Sequence, residues 1–180
     1  GVPQRRERVF FVAIRDDIEA PPLKLAPTHR WVSAGEATSD VQVLTDEEKH
    51  DSRPRESDLL WWKDTPQGES YEKAVAKVRG KESLFQHARL HQSRPAPTLS
   101  ANSHVFTHWS ECRKLTYREW KRLGSFPDDY HAKTDKIGKY MIGMSVPPKM
   151  TEQVARAVCE QWLNVNYSEL SNDNQAQNPH

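Results

Sequence analysis

The chain has 180 residues, which is enough for one domain or for one domain and part of another. Hydrophobic residues make up 36% of it and charged residues 28%, so the sequence predicts long surface loops rather than one large core. The net charge of +1 excludes a strong overall field for nucleic acid or membranes, and any DNA binding must come from local basic patches.

Residue types that hold metals or cross membranes are few or scattered. Cys112 and Cys159 have no partner at metal-ligand spacing and are expected to be reduced thiols of a cytosolic protein. His87 and His91 have helical spacing without a suitable third ligand, so no metal site is predicted. No apolar run has the length of a membrane span, and no signal peptide is predicted.

The first predicted element is a strand over residues 9–14, a short continuous run of β-branched and aromatic side chains. Such a run is typical of a strand buried on both faces of a parallel sheet. Residues 15–58 are rich in Pro, Asp, Glu and Arg and supply no neighbouring strands or helices. Because this strand lacks neighbours, we expect a large part of the protein to precede Gly1. A first residue other than Met also fits processing, a tag scar or a start part-way through a longer protein.

The middle of the chain, residues 16–108, shows weak periodicity. Residues 41–44 are predicted as a short strand and residues 45–57 as a charged loop. The apolar run 59–62 is expected to pack against other parts of the chain. Its two tryptophans, Trp61 and Trp62, and also Trp31 are expected to be core residues.

A helix is predicted from Ser70 through Val78, with Gly80 at its end. Pro95 and Pro97 then predict a rigid loop rather than a helix, because neither can donate a backbone hydrogen bond.

The strongest predicted element is a short helix that begins after Thr116. Thr116 and Glu119 have the spacing of a capping box, and Leu115 and Trp120 are placed for a hydrophobic staple. Gly124 fits a left-handed C-terminal cap.

The remaining residues are predicted as a loop over 131–138, a mostly apolar block over 139–148, and a helix capped by Thr151 that runs to about Leu163. The polar tail, residues 166–180, is expected to be disordered.

Several of these segments, in this order, resemble conserved blocks of the DNA cytosine-5 methyltransferases. Gly-Val-Pro-Gln-Arg-Arg-Glu-Arg-Val at 1–9 is similar to a block whose arginines face the active site. Leu-Thr-Tyr-Arg-Glu and Ser-Phe-Pro-Asp-Asp-Tyr, within 115–130, resemble the block that ties the DNA-reading domain to the catalytic domain. Pro-Ala-Pro-Thr-Leu-Ser-Ala at 95–101 resembles the Thr-Leu recognition element, and Tyr-Met-Ile-Gly-Met-Ser-Val-Pro-Pro at 140–148 the final block.

The resemblance implies an α/β fold: the C-terminal portion of a Rossmann-like S-adenosylmethionine-dependent methyltransferase with a small mixed α+β target recognition domain. Residues 1–15 would be a catalytic-domain strand, 16–108 the recognition domain, and 109–165 the connecting helix, cofactor block and docking helix, followed by the tail. The family's glycine-rich cofactor turn, Pro-Cys nucleophile loop and Glu-Asn-Val segment have no match here, so this chain alone is expected to be inactive.

The resemblance also assigns site residues. Arg8 would contact the flipped cytosine at its carbonyl oxygen, with Arg6 beside it near the phosphate. Met144, Ser145 and Tyr130 would border the S-adenosylmethionine pocket. Met144 occupies the usual Asn position, where a thioether is only a weak acceptor, so its backbone is the better candidate for cofactor contact.

DNA recognition is expected from loop residues around the Thr-Leu element, whose polar side chains offer edges that suit bases in the major groove. The candidates are Arg89, Arg94, Thr98, Leu99, Ser100 and Asn102. The implied partners are duplex DNA and a missing N-terminal catalytic half, on the same chain or as a subunit, with no membrane and no metal. The implied location is the cytoplasm of a bacterial or phage-infected cell.

The implied reaction is covalent methyl transfer. A thiolate attacks C6 of a cytosine turned out of the duplex, and C5 then accepts the methyl group of S-adenosylmethionine. Two other functions remain open: a stand-alone sequence-specific DNA-binding module without catalysis, and an RNA-directed member of the same family. The length of the middle segment favours DNA over RNA, because a recognition domain of that size suits duplex readout.

Overall fold

The computed structural model describes residues 1–26, 30–41, 43–80, 87–102 and 105–163; the predicted disordered tail lies outside these ranges. No helix in the described part is both long and apolar enough to cross a membrane. The elements of the described ranges are, in chain order, α1 Ala34–Ala37, α2 Asp46–Asp51, α3 Glu56–Trp61, α4 Tyr71–Arg79, β1 Ala88–Arg89, β2 Phe106–Thr107, α5 Tyr117–Gly124, α6 Asp135–Met144 and α7 Pro148–Trp162.

The predicted strand over residues 9–14 is not formed. These residues have no regular secondary structure, and Val9 and Phe11 are 79% and 96% exposed. A strand needs a neighbouring segment to which its backbone can hydrogen-bond. In the described ranges such a neighbour is present only before residue 9, where Gln4 forms a parallel bridge with Ala96. The segment therefore carries a strand-forming sequence with nothing to pair against.

The sheet of the described residues is small. β1 and β2 are parallel, with Ala88 opposite Phe106 and Arg89 opposite Thr107. This mixture of helices and one short parallel pair is consistent with an α/β methyltransferase domain, but the described residues do not contain the larger Rossmann-like sheet that the resemblance implied.

Helix α5 lies at the centre of the core, and its capping box is confirmed. The Thr116 hydroxyl accepts a hydrogen bond from the Glu119 amide at 3.2 Å, and the Glu119 carboxylate accepts one from the Thr116 amide at 2.8 Å. The helix and the residue before its cap contribute three fully buried apolar side chains, Leu115, Trp120 and Leu123.

The left-handed residue at the end of α5 is Ser125, with φ 60°, and not Gly124 as predicted. Gly124 is still needed, for a different reason. A Cβ atom there would lie 2.7 Å from Cγ2 of Ile142 on α6, so the two helices can approach only at a glycine.

Helix α6 begins within the predicted loop over 131–138. Its N-cap is Thr134, whose hydroxyl accepts from the Ile137 amide at 3.3 Å. Helix α7 begins at Pro148 rather than after Thr151, because proline suits the first helical turn, where its missing N–H has no partner to lose.

The predicted charged loop over 45–57 instead contains α2 and the start of α3. Thr45 and Glu48 form a second capping box, which is the local signal for α2. Arg118 of α5 then holds α2 through Glu48, with its Nε 2.5 Å and its Nη2 2.8 Å from the carboxylate oxygens.

Apolar residues in the middle segment are less buried than predicted. Leu59 and Leu60 are each 62% exposed and Trp31 is 71% exposed, while the two tryptophans at the end of the 59–62 run are half-buried. Val43 is 82% exposed, and the described residues of 41–44 form no strand.

The predicted helix after Ser70 is confirmed as α4. It ends at Gly80 with φ 65°, a left-handed conformation that favours glycine. The Ser70 side chain makes no capping hydrogen bond.

Candidate functional site

The arginine-rich N-terminal block lies along the Thr-Leu element. The Ala96 amide donates to the Pro3 carbonyl at 2.9 Å, and the Arg5 amide donates to the Ala96 carbonyl at 2.8 Å. The Thr98 hydroxyl donates to the Arg5 carbonyl at 2.5 Å. The block that was predicted to face the active site is thus bonded, residue by residue, to the element that was predicted to face DNA.

Gln4 fixes this pairing from inside the core. Its buried side-chain amide donates to the Leu123 carbonyl at 3.3 Å and accepts from the Leu99 amide at 3.1 Å. Both ends of the amide are therefore used, and the block is held between the C-terminal end of α5 and the Thr-Leu element.

Arg6 points inward and is only 7% exposed. Its Nη1 donates to the Leu99 carbonyl at 2.6 Å and its Nη2 to the Gly143 carbonyl at 2.9 Å. Burial, and then the nearby charge of Arg8, lower the pKa of Arg6. The sequence predicted that Arg6 lies near a DNA phosphate. In the structure it is not available for that contact, because backbone carbonyls of two other segments already occupy its terminal nitrogens.

Arg8, by contrast, is exposed. Its Nη1 donates to the Glu7 carbonyl at 2.6 Å, and the side chain lies on the wall of an open groove of about 840 Å³ between the N-terminal block and α7. Apart from the inward-pointing Arg6, basic residues outnumber acidic ones by six to two along this groove, so it suits an anionic ligand. The six basic residues are Arg5, Arg8, Lys24, Arg30, Lys149 and Arg156.

The predicted cofactor residues lie at the end of α6 and beside it. Met144 is 64% exposed and Ser145 is half-buried, with its hydroxyl donating to the Ile142 carbonyl at 2.8 Å. The Tyr130 hydroxyl lies 3.8 Å from the sulfur of Met141, one helical turn before Met144. The structure therefore places these three predicted residues around one end of one helix.

Two of the predicted DNA-reading residues point into the protein. Leu99 has no exposed surface. The Arg89 guanidinium lies over the Trp62 ring at 3.7 Å and donates to three backbone carbonyls, those of Trp109, Trp62 and Thr65. Neither side chain is available to a base edge in this conformation.

The other four candidates lie at or near the surface. Arg94, Thr98 and Asn102 are exposed, and Ser100 is half-buried with its hydroxyl 3.3 Å from the Asn102 carbonyl. Residues 103–104, which follow directly, are outside the described ranges.

Sequence reasoning missed two residues that hold this site together. Gln4 was part of the recognised block but received no role. Gly143 packs so closely on the loop of Ser100 that a Cβ atom would overlap the Ser100 carbonyl. A glycine within the apolar 139–148 block was the available signal for such a close approach.

A buried ionic cluster supports the other side of α5. Arg113 donates to both carboxylate oxygens of Glu119, at 2.9 and 2.8 Å, and Nε2 of His108 lies 3.7 Å from the same carboxylate. Burial and the charge of Arg113 lower the pKa of His108 to about 4, so it is neutral. In the described ranges, no three His, Cys, Asp or Glu side chains are grouped to hold a metal ion.

Comparisons with known proteins agree with the blocks described above. The family described as C-5 cytosine-specific DNA methylase matches residues 1–160. The Type II methyltransferase M.BbvI of Brevibacillus brevis is 31% identical over an alignment 188 residues long, in which 95% of this chain and 49% of that protein take part. The Type II methyltransferase M.NgoFVII of Neisseria gonorrhoeae is 31% identical over an alignment 182 residues long, with 88% of this chain and 46% of that protein.

A shorter relative matches a smaller part. The Type II methyltransferase M.AquIB of Picosynechococcus sp. is 34% identical over an alignment 92 residues long, in which 44% of this chain and 66% of that protein take part. The chain spans about half the length of the first two relatives. The family match covers most of the chain, and the chain therefore belongs to the C-5 cytosine-specific DNA methylases.

Proposed function

We propose that this chain is the DNA-reading part and one side of the active site of a DNA cytosine-5 methyltransferase. The observation that carries the proposal is the contrast between Arg6 and Arg8. Arg6 anchors the N-terminal block in the interior, and Arg8, two residues later, extends into a basic groove.

Arg8 has the chemistry that recognition of a flipped cytosine requires. A guanidinium keeps its charge at all relevant pH values and presents a rigid fork of N–H donors. Directed at the carbonyl oxygen of the base, it would hold the ring in place and stabilise negative charge that develops there.

Duplex DNA is proposed to bind at the surface that carries Arg94, Thr98, Ser100 and Asn102. Hydroxyl, amide and guanidinium groups of this kind read base edges in the major groove. Arg89 would act behind this surface, since its bonds to the carbonyls of Trp62, Thr65 and Trp109 tie β1 to those segments.

S-adenosylmethionine supplies the methyl group when bound. The end of α6 would suit one wall of its pocket, because Met144 is exposed there and the Tyr130 hydroxyl lies beside Met141, one helical turn earlier. The thioether of Met144 is a poor hydrogen-bond acceptor, so the backbone of Met144 and Ser145 is the proposed contact. The Ser145 hydroxyl already donates to Ile142, which leaves its oxygen to accept.

A separate N-terminal catalytic half is proposed to carry the nucleophile and to cover the exposed apolar residues Val9, Phe11 and Val12. Support comes from the length comparison, in which this chain spans about half of its longer relatives. The half could be on the same polypeptide or a subunit, and M.AquIB, itself shorter than this chain, shows that short chains occur among the relatives.

The test is Arg8→Ala in the complete enzyme, assayed by single-turnover methyl transfer to duplex DNA and by duplex binding. We expect transfer to fall by about 100-fold or more, because a donor aimed at developing charge is lost, while duplex affinity changes by less than about threefold. Arg15→Ala, at an exposed arginine paired with Asp17, is the matched control and should change neither.

Equal loss of transfer and of binding in Arg8→Ala would contradict the assigned role. If the wild-type complete protein binds duplex but transfers no methyl group, its function is that of a stand-alone sequence-specific DNA-binding module and not that of an enzyme.

A further inference from the structure

Three segments that the resemblance assigns to three different tasks meet at one side chain. Arg6 belongs to the active-site block, the Leu99 carbonyl to the DNA-reading element, and the Gly143 carbonyl to the cofactor block. The two carbonyls are 93 and 137 residues from Arg6 along the chain, so no local structure produces this arrangement.

The contact around Arg6 leaves little room for the segments to slide. Gly143 approaches the Ser100 backbone so closely that any Cβ atom would overlap it. The Arg6 Nε is buried without a hydrogen-bond partner in the described structure, so the guanidinium depends on its two carbonyl bonds to offset its desolvation.

A guanidinium bonded in this way links the positions of its two acceptors. Its nitrogens are fixed in one plane, so both bonds are good only when Leu99 and Gly143 keep their relative positions. If one segment moves alone, a buried positive charge loses an acceptor, which is costly. Leu99 directly precedes Ser100 of the proposed DNA surface, and Gly143 directly precedes Met144 of the proposed cofactor wall.

We propose that Arg6 is a positioning residue that couples the two binding sites, so that duplex DNA at residues 98–102 and cofactor at Met144 and Ser145 strengthen each other's binding. The inference rests on the proposed function and replaces the expected phosphate contact of Arg6. By linkage, each ligand must change the affinity of the other by the same factor.

The experiment uses the complete enzyme, S-adenosylhomocysteine, and a plasmid restriction fragment that the wild-type enzyme methylates. Calorimetry gives the Kd of S-adenosylhomocysteine with and without this duplex, and the ratio of the two values measures the coupling. We expect a wild-type ratio of at least about 5, within the usual range for coupled sites.

Arg6→Lys keeps the charge but cannot bond both carbonyls in the same plane. It should reduce the ratio to below about 2, while the Kd of each ligand alone changes by less than about threefold. Arg15→Lys is the matched surface control and should leave the ratio unchanged.

Gln4→Met distinguishes a loss of coupling between the two sites from a general loss of stability of the N-terminal block. It removes hydrogen bonds of the same block to Leu99 and Leu123 but none to Gly143. It should lower the melting temperature and keep the ratio close to the wild-type value. Equal reduction of the ratio by Gln4→Met and Arg6→Lys would overturn the assignment to Arg6.

A measurement on the wild-type enzyme keeps the inference testable if Arg6→Lys does not fold. Duplex alone, without cofactor, should slow amide hydrogen exchange in residues 140–146. An enzyme that methylates DNA but shows no such protection, or a wild-type ratio near 1, overturns the coupling alone. A wild-type protein that transfers no methyl group overturns the proposed function and the coupling with it.

Discussion

Arg6, Arg89 and Arg113 direct their guanidinium groups into the protein rather than to solvent. Arg6 bonds two backbone carbonyls, Arg89 bonds three, and Arg113 bonds the Glu119 carboxylate at both oxygens. Because a guanidinium keeps its charge, it lies inside only where enough acceptors converge. Each of the three therefore marks a point where separate segments of the chain are fixed together.

His108, beside Arg113 and Glu119, should make the free energy of unfolding depend on pH. Its folded pKa of about 4 lies below the ordinary 6.5, so the unfolded chain binds more protons between these values. Stability should be complete above about pH 6.5 and fall towards pH 4, with a loss of roughly 2 kcal/mol already at pH 5.

Urea unfolding at pH 7.5 and pH 5 measures this loss. His108→Asn keeps an acceptor for the backbone amides of Ser110 and Glu111 but does not titrate. It should shrink the difference between the two pH values, and an unchanged difference would show that other groups are responsible.

Helices α5 and α6 approach each other through glycines. Gly124 of α5 faces Ile142, and Gly138 of α6 faces the ring of Tyr117. Glycine usually weakens a helix interior, so its presence at a crossing indicates close packing rather than flexibility. This contact positions the end of α6, where the proposed cofactor wall lies.

Gly138→Ala should therefore lower the free energy of unfolding by about 1–3 kcal/mol, because its methyl group would lie within about 2.6 Å of the Tyr117 side chain. In a Tyr117→Ala background the same change should be neutral or stabilising by up to about 1 kcal/mol, since alanine is the better helix former. Denaturant unfolding of the wild type, the two single variants and the double variant measures both values. Equal destabilisation in both backgrounds would rule out the ring as the cause.

At the scale of the whole molecule, the exposed apolar segment near the N-terminus is the main departure from a self-contained fold. Phe11 is almost fully exposed, yet it follows a block that is tightly bonded to the core. Large apolar side chains on a rigidly anchored segment are typical of an interaction surface, and they are the surface that the proposed N-terminal half would cover.

Phe11→Ser tests this at the level of the complete protein. In this chain alone the melting temperature should not change, because Phe11 buries almost no surface. In the complete protein the same change should destabilise by about 1.5–3 kcal/mol, the value for burying such a side chain. Val43→Ser, at an 82% exposed position in the middle segment, should have no effect in either. If Phe11→Ser leaves the stability of the complete protein unchanged, as expected for this chain alone, then no other part of the protein covers Phe11.

Features that depend on a few neighbouring residues could be predicted from the amino-acid sequence. The capping box of Thr116 and Glu119 and the glycine end of α4 were predictable because their partners lie within four residues of each other. The order of residues in the arginine, Thr-Leu and final blocks was enough to identify the family.

The direction in which the functional side chains point depends on long-range contacts and could not be predicted from the sequence. Arg6 and Arg8 are indistinguishable by residue type, and the acceptors that draw Arg6 inward come from about 90 and 140 residues away. The same holds for Leu99, whose side chain packs in the core cluster with Trp120 and Leu123 of α5, while the N-terminal block bonds its backbone. Strand formation over residues 9–14 failed for the complementary reason, since a strand is stable only when its long-range partners are present.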